Sequence, residues 1–98
     1  MPHLADQEVV QALRNQTRRG LTSPGSARDR LRRWQLLGVR RHPVRGLLLR
    51  IWALRESLSA YDATYVALAE ALGCRLATGD LRLARSPGLG CEVVTVET

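Results

Sequence analysis

The chain has 98 residues, 45% hydrophobic and 24% charged, which allows one small domain with a single modest core. No stretch approaches the ~18 uninterrupted apolar residues of a membrane span, and Met1-Pro2-His3-Leu4-Ala5-Asp6 has neither the basic start nor the apolar stretch of a signal peptide, so a cytoplasmic protein is the expectation. All 15 basic residues are Arg, and residues 1–55 hold 12 of them against three acids, whereas residues 56–98 hold three against six. That asymmetry suits a polyanion or an acidic protein partner, and it equally suits a solvated helix surface.

Helical and strand patterns alternate along the chain, which predicts an α/β fold. A first helix is expected from Pro2 or His3 to Arg19, with Gly20 past its end and Ala5, Val9, Ala12, Leu13 and Gln16 as its inner stripe. Ser23-Pro24-Gly25-Ser26 starts a second helix that runs to about Leu37, with Ala27, Leu31, Trp34 and Leu37 on one face. Val39-Arg40-Arg41 is a short strand candidate. Pro43 opens a third helix to about Arg55, in which Val44, Leu47, Leu48, Ile51 and Leu54 keep a helical period.

Ser59 is the expected N-cap of a fourth helix that Gly73 stops after Leu72. This segment is so apolar that most of its circumference must be buried. Tyr61 and Tyr65 are expected to fill the core, with base stacking as the alternative, and Trp34 and Trp52 to make core or dimer contacts. Cys74–Thr78 reads as a strand, Leu81–Arg85 as a brief helix, and Glu92–Val96 as a β-branched last strand. Two strands linked through a helix imply a parallel crossover. Cys74 and Cys91 make neither a zinc site nor a disulfide framework and read as small hydrophobes before strands, and His3 and His42 lack ligand-like spacing.

Three acids stand out. Asp62 falls in the first turn of the apolar helix, Asp80 follows a strand through Gly79, and Glu8 lies in the first turns of helix one. Each has an ordinary structural reading, as a dipole partner or an N-cap. Carboxylates converging at one sheet edge repel one another unless a cation sits among them, and oxygen-only ligands favour Mg²⁺ or Mn²⁺, the ions of phosphodiester hydrolysis.

The segment Leu58-Ser59-Ala60-Tyr61-Asp62-Ala63-Thr64-Tyr65, followed by Leu76-Ala77-Thr78-Gly79-Asp80-Leu81, closely resembles the PIN-domain toxins of the VapC family. The stretch Pro2 to Arg14, with Glu8-Val9 and Ala12-Leu13-Arg14, resembles the family's Pro-x-x-x-x-x-Glu-Val-x-x-Ala-Leu-Arg stretch. The resemblance implies a three-layer α/β/α fold with a short parallel sheet. It implies a Mg²⁺- or Mn²⁺-dependent ribonuclease toxin acting on tRNA or rRNA, dimeric and restrained by a VapB antitoxin. Glu8, Asp62 and Asp80 match acidic metal positions of that family, and Thr78 matches a hydroxyl beside the metal. Arg14, Arg18 and Arg19 become candidate RNA phosphate contacts, with a solvated helix end as the plain alternative.

The sequence departs from the family at its beginning. The hydrophobic strand ending in an Asp, and the helix after it, have no counterpart before Pro2. Residues 1–98 are therefore expected to form a single PIN-like domain without that strand and its acid, marginal when alone and weak or inactive as a nuclease. Two other readings stay open: an inactive PIN remnant that still binds an antitoxin or dimer partner, and a basic RNA-binding module without chemistry.

Overall fold

Ser23 and Ser59 each stand in extended backbone one residue before a helix, and each side-chain oxygen accepts a backbone N–H three residues on, from Ser26 and from Asp62. These two caps fix the starts of helices in two different parts of the chain. The computed structural model describes residues 1–96, and its backbone falls into two compact units, one of Met1 and His3–His42, the other of Pro2 and the residues from Pro43 onward.

The first unit is a pair of helices, α1 (Ala5–Arg18) and α2 (Pro24–Leu36). Ala5 and Leu13 of α1 and Ala27 of α2 are its buried apolar side chains, and Arg30 Nη1 donates across the pair to Gln16 Oε1 at 3.3 Å. The expected apolar faces are only partly realised: Ala12 of the first helix's stripe and Leu37 of the second helix's face are exposed. Val39–Arg41 forms no strand. Its backbone is used instead by the chain start, the Met1 ammonium donating to the Arg40 carbonyl at 2.8 Å and the His42 N–H to the Met1 carbonyl at 2.7 Å.

In the second unit the expected third helix breaks into a 3₁₀ turn, Arg45–Leu47, and a short α3, Leu48–Ala53. Gly46 is a poor helix former, and Leu47, at φ −106° and ψ 1°, leaves the helical region where the two pieces join. Helix α4 spans Ala60–Leu72, as its cap and stop signals predict. It ends on Gly73 at φ +64°, a left-handed residue that costs glycine nothing. The Cys74 N–H then returns to the Ala69 carbonyl and the Gly73 N–H to that of Glu70, closing a Schellman turn.

Strand β1 (Leu76–Thr78), helix α5 (Leu81–Ala84) and strand β2 (Val93–Thr95) follow. The strands pair in parallel, Leu76 with Val93 and Thr78 with Thr95. Helices and a small parallel sheet together give the expected α/β class. The core of this unit is Leu54, Ala63, Val66 and Leu83, with Ile51, Leu58, Leu76, Leu89 and Cys91 packed around it.

Helix α4 is sunk into the unit as its composition demands, with Ala63, Thr64 and every residue from Val66 to Ala69 buried. Its first turn is not. Tyr61 is 61% exposed, so it does not fill the core, and Tyr65 is half-buried. Trp52 is 64% exposed, which removes the core half of its expected core or dimer role: it lies on the outer side of α3 with Leu48 and Leu49, under the Arg55 guanidinium at 4.4 Å. Cys74 is exposed as well, and only Cys91 behaves as a small hydrophobe. Among the described residues no helix is long and apolar enough to cross a membrane. Glu97, part of the acidic half, lies outside the described residues.

Candidate active site

Asp62 is set by its helix. The Ser59 hydroxyl oxygen accepts its N–H at 3.2 Å, which places the half-buried side chain in the first turn of α4, at the positive end of the helix dipole. Two residues on, Thr64 Oγ1 donates to the Ala60 carbonyl at 2.7 Å and so satisfies a hydroxyl in a buried setting.

Asp80 is set by a strand end. Thr78 closes β1, and its Oγ1 accepts the Asp80 N–H at 3.1 Å. The Asp80 carboxylate in turn accepts the Arg82 N–H at 2.8 Å and caps α5. Thr78 and Asp80 thus form one connected turn, with the exposed acid just beyond the carboxyl end of the strand. That is the edge where α/β sheets place ligand sites. The capping role read from sequence is present, and it coexists with a position suited to chemistry.

Glu8 belongs to the other unit, half-buried in the first turn of α1. Arg14, Arg18 and Arg19 lie along the second half of α1 and just past it, and all three are exposed. Among the described residues, no three His, Cys, Asp or Glu side chains group closely enough to hold a metal ion.

Two charged constellations were not singled out from the sequence. In the first unit, Asp6 accepts hydrogen bonds from Trp34 Nε1 at 2.7 Å and from Arg41 Nε and Nη2 at 3.0 and 2.7 Å. The Arg41 bonds first, and then that of Trp34, hold the Asp6 carboxyl down at about 2. Arg41 also lies 5.6 Å from the Trp34 ring centre.

In the second unit, Arg50 meets Glu70 through two parallel bonds and also donates to the Gly88 carbonyl at 2.8 Å. The Gly90 N–H donates to Glu70 as well. Glu70 had a legible signal: it is the one charge in the apolar α4 after its first turn, and a charge in such company requires a partner. Asp6 had none, since its partners lie 28 and 35 residues away.

The PIN-domain family model matches residues 1–89 of the chain. Ribonuclease VapC9 of Mycobacterium tuberculosis is 47% identical over 96 residues, covering 98% of this chain and 76% of the relative. This chain belongs to the VapC family of PIN domains. Ribonuclease VapC1 of the same organism is 45% identical over 97% of the chain and 72% of the relative, and Ribonuclease VapC12 is 38% identical over 93% and 70%. No solved structure matches the chain significantly. Within this VapC-family chain, the ion pairs of Asp6 and Glu70 are framework contacts. Asp62 lies at a helix start and Asp80, in the Thr78–Asp80 turn, at a strand end.

Proposed function

We propose that this chain is a metal-dependent endoribonuclease of the VapC type, the toxin of a VapBC-type toxin–antitoxin pair, and that it hydrolyses RNA phosphodiester bonds. The observation that carries the reading is the 47% identity to a protein named Ribonuclease VapC9 along nearly the whole chain. The residues with the chemistry for the task are Glu8, Asp62 and Asp80 as metal-binding acids, with Thr78 beside Asp80.

The donor chemistry fits a divalent ion: carboxylate oxygens are hard ligands of the kind Mg²⁺ and Mn²⁺ prefer. The described side chains supply no ready-made group of three. Mg²⁺ does not require one, since it keeps several waters and is commonly held by one or two carboxylates together with substrate phosphates. When bound, such an ion supplies a water of raised hydroxide character and neutralises charge on the departing oxygen.

The chain's own residues prepare that chemistry. The Asp80 carboxylate is oriented by its bond from the Arg82 N–H, and the backbone that carries it is braced on Thr78. Asp62 rides on a helix whose buried face fixes it. The exposed arginines of the first unit, Arg14, Arg18 and Arg19 among them, supply phosphate contacts for RNA of the tRNA or rRNA class.

A VapB-like antitoxin and a second copy of the chain are the proposed protein partners, in the cytoplasm. The exposed Leu48, Leu49 and Trp52 offer them apolar area. The inactive-remnant reading is less well supported, because Asp62 and Asp80 are both present.

The test is RNA cleavage by the purified chain with Mg²⁺ or Mn²⁺, beside Asp62→Asn and Asp80→Asn. Cleavage that falls at least tenfold in both variants is expected. Cleavage unchanged in both removes these acids from the site and the reading with them.

A further inference from the structure

Cys74 and Cys91 stand at matching places just before the two strands of the sheet. Each lies two residues before a member of the pair Leu76–Val93, which is in register across the parallel strands. The ladder reaches back toward them, with the Leu76 N–H donating to the Glu92 carbonyl at 2.9 Å. In the ladder that begins two residues further on, neighbouring parallel strands lie about 4.8 Å apart, a spacing inside the range a disulfide bridges between its Cα atoms, roughly 4.4–6.8 Å. Both cysteines are free, and both line one open cavity of about 240 Å³ with Ala69, Gly73, Arg75 and Glu92.

The two are also held to the same turn of α4 by independent anchors. The Cys74 N–H is fixed to the Ala69 carbonyl by the Schellman turn. The residue before Cys91, Gly90, is fixed through its N–H to Glu70, which Arg50 clamps in turn.

We propose that Cys74 and Cys91 form a redox-modifiable pair that closes to an intramolecular disulfide on exposure to a low-molecular-weight disulfide. The exposed Cys74 reacts first. Its thiolate attacks one sulfur of the oxidant, a Cys74 mixed disulfide forms, and one small thiol leaves. Cys91 then loses its proton and attacks the Cys74 sulfur. The Cys74–Cys91 bond forms and the second small thiol leaves. Two electrons pass from the protein to the oxidant, and the two thiol protons end on the released thiols or in solvent.

Cys91 is the slower partner. Burial pushes its thiol up, the negative charge of Glu70 and the neighbouring Cys74 add to this, and Arg50 opposes them. Arg75 and Glu92 are the other charged groups at the cavity. Closure of the mixed disulfide therefore accelerates with rising pH above neutrality. The pair is conditional rather than structural, as suits a reducing compartment.

The experiment treats the full chain with oxidised glutathione and counts thiols, with mass and peptide mapping of the product. The expected result is a monomer lighter by two hydrogens, with a Cys74–Cys91 linked peptide, both free thiols gone, and melting raised by about 5–15 °C. Cys91→Ser and, where that variant folds poorly, Cys91→Ala are expected to stop at a stable glutathione adduct on Cys74. Two free thiols at equilibrium, glutathione on both cysteines, or a bond formed only between chains would each overturn the proposal.

Discussion

Arg50 and Glu70 meet side by side, Nε to Oε1 at 2.7 Å and Nη2 to Oε2 at 2.8 Å, and the pair ties α3 to α4. The same guanidinium holds the Gly88 carbonyl, and the same carboxylate holds the Gly90 N–H, so one ion pair organises the loop that leads into β2. Glu70 is mostly shielded while Arg50 is 40% exposed, which places the pair between a surface contact and a buried one.

Glu70→Gln is expected to lower stability by about 1–3 kcal/mol, and Arg50→Lys by a smaller amount because the two-pronged fit is lost. Urea unfolding of each variant checks this. The Arg50 bonds first hold the Glu70 carboxyl below its ordinary value of 4.5, so its contribution is complete above that pH and fades as pH falls below it. In Glu70→Gln that part of the acid destabilisation should disappear.

Gly90 is required by the same pair. A Cβ at this position would lie 2.7 Å from Glu70 Oε2, with Cδ at 3.1 Å behind it. Gly90→Ala must push the carboxylate away from Arg50 or the loop away from α4. A loss of about 1–3 kcal/mol is expected, and Gly46→Ala, which meets no atom within 4 Å, serves as the control. Equal melting of the two variants would contradict the clamp.

Asp6 gives a pH readout in the first unit. With its carboxyl held at about 2 against an ordinary 3.8, its contribution is present above 3.8 and is lost as pH falls toward 2. Protonation weakens the bonds from Arg41 and Trp34 together. In a Trp52→Phe chain, the Trp34 fluorescence should change across that window, and Asp6→Asn should flatten the curve. A titration unchanged by Asp6→Asn would place the perturbing group elsewhere.

Much of the second unit was legible in the chain because its signals are local. Ser59, the apolar run and Gly73 specify α4, and the β-branched Val93-Val94-Thr95 specifies β2. The third helix misled because its apolar period ignores the backbone cost of Gly46. Val39–Arg41 misled because its carbonyl at Arg40 is satisfied by Met1, 39 residues away. For the candidate site, Asp62, Thr78 and Asp80 could be singled out from local motifs. How far Asp80 serves the fold and how far it serves chemistry could not, because a capping acid and a metal-binding acid are the same residue type at a strand end.

A pair of substitutions separates those two roles. Asn is nearly as good an N-cap as Asp, so Asp80→Asn should keep the bond from the Arg82 N–H and leave melting within about 0.5 kcal/mol of the parent chain. Asp80→Ala removes the cap and should cost about 1 kcal/mol, or roughly 4–8 °C for a chain of this size. Cleavage of RNA should fall alike in both, because both lack the negative oxygen that a divalent ion needs. Activity that instead followed stability, retained in Asp80→Asn and reduced in Asp80→Ala, would assign Asp80 to the fold alone. The acid beyond β1 would then be a cap whose likeness to a catalytic residue is inherited and no longer used.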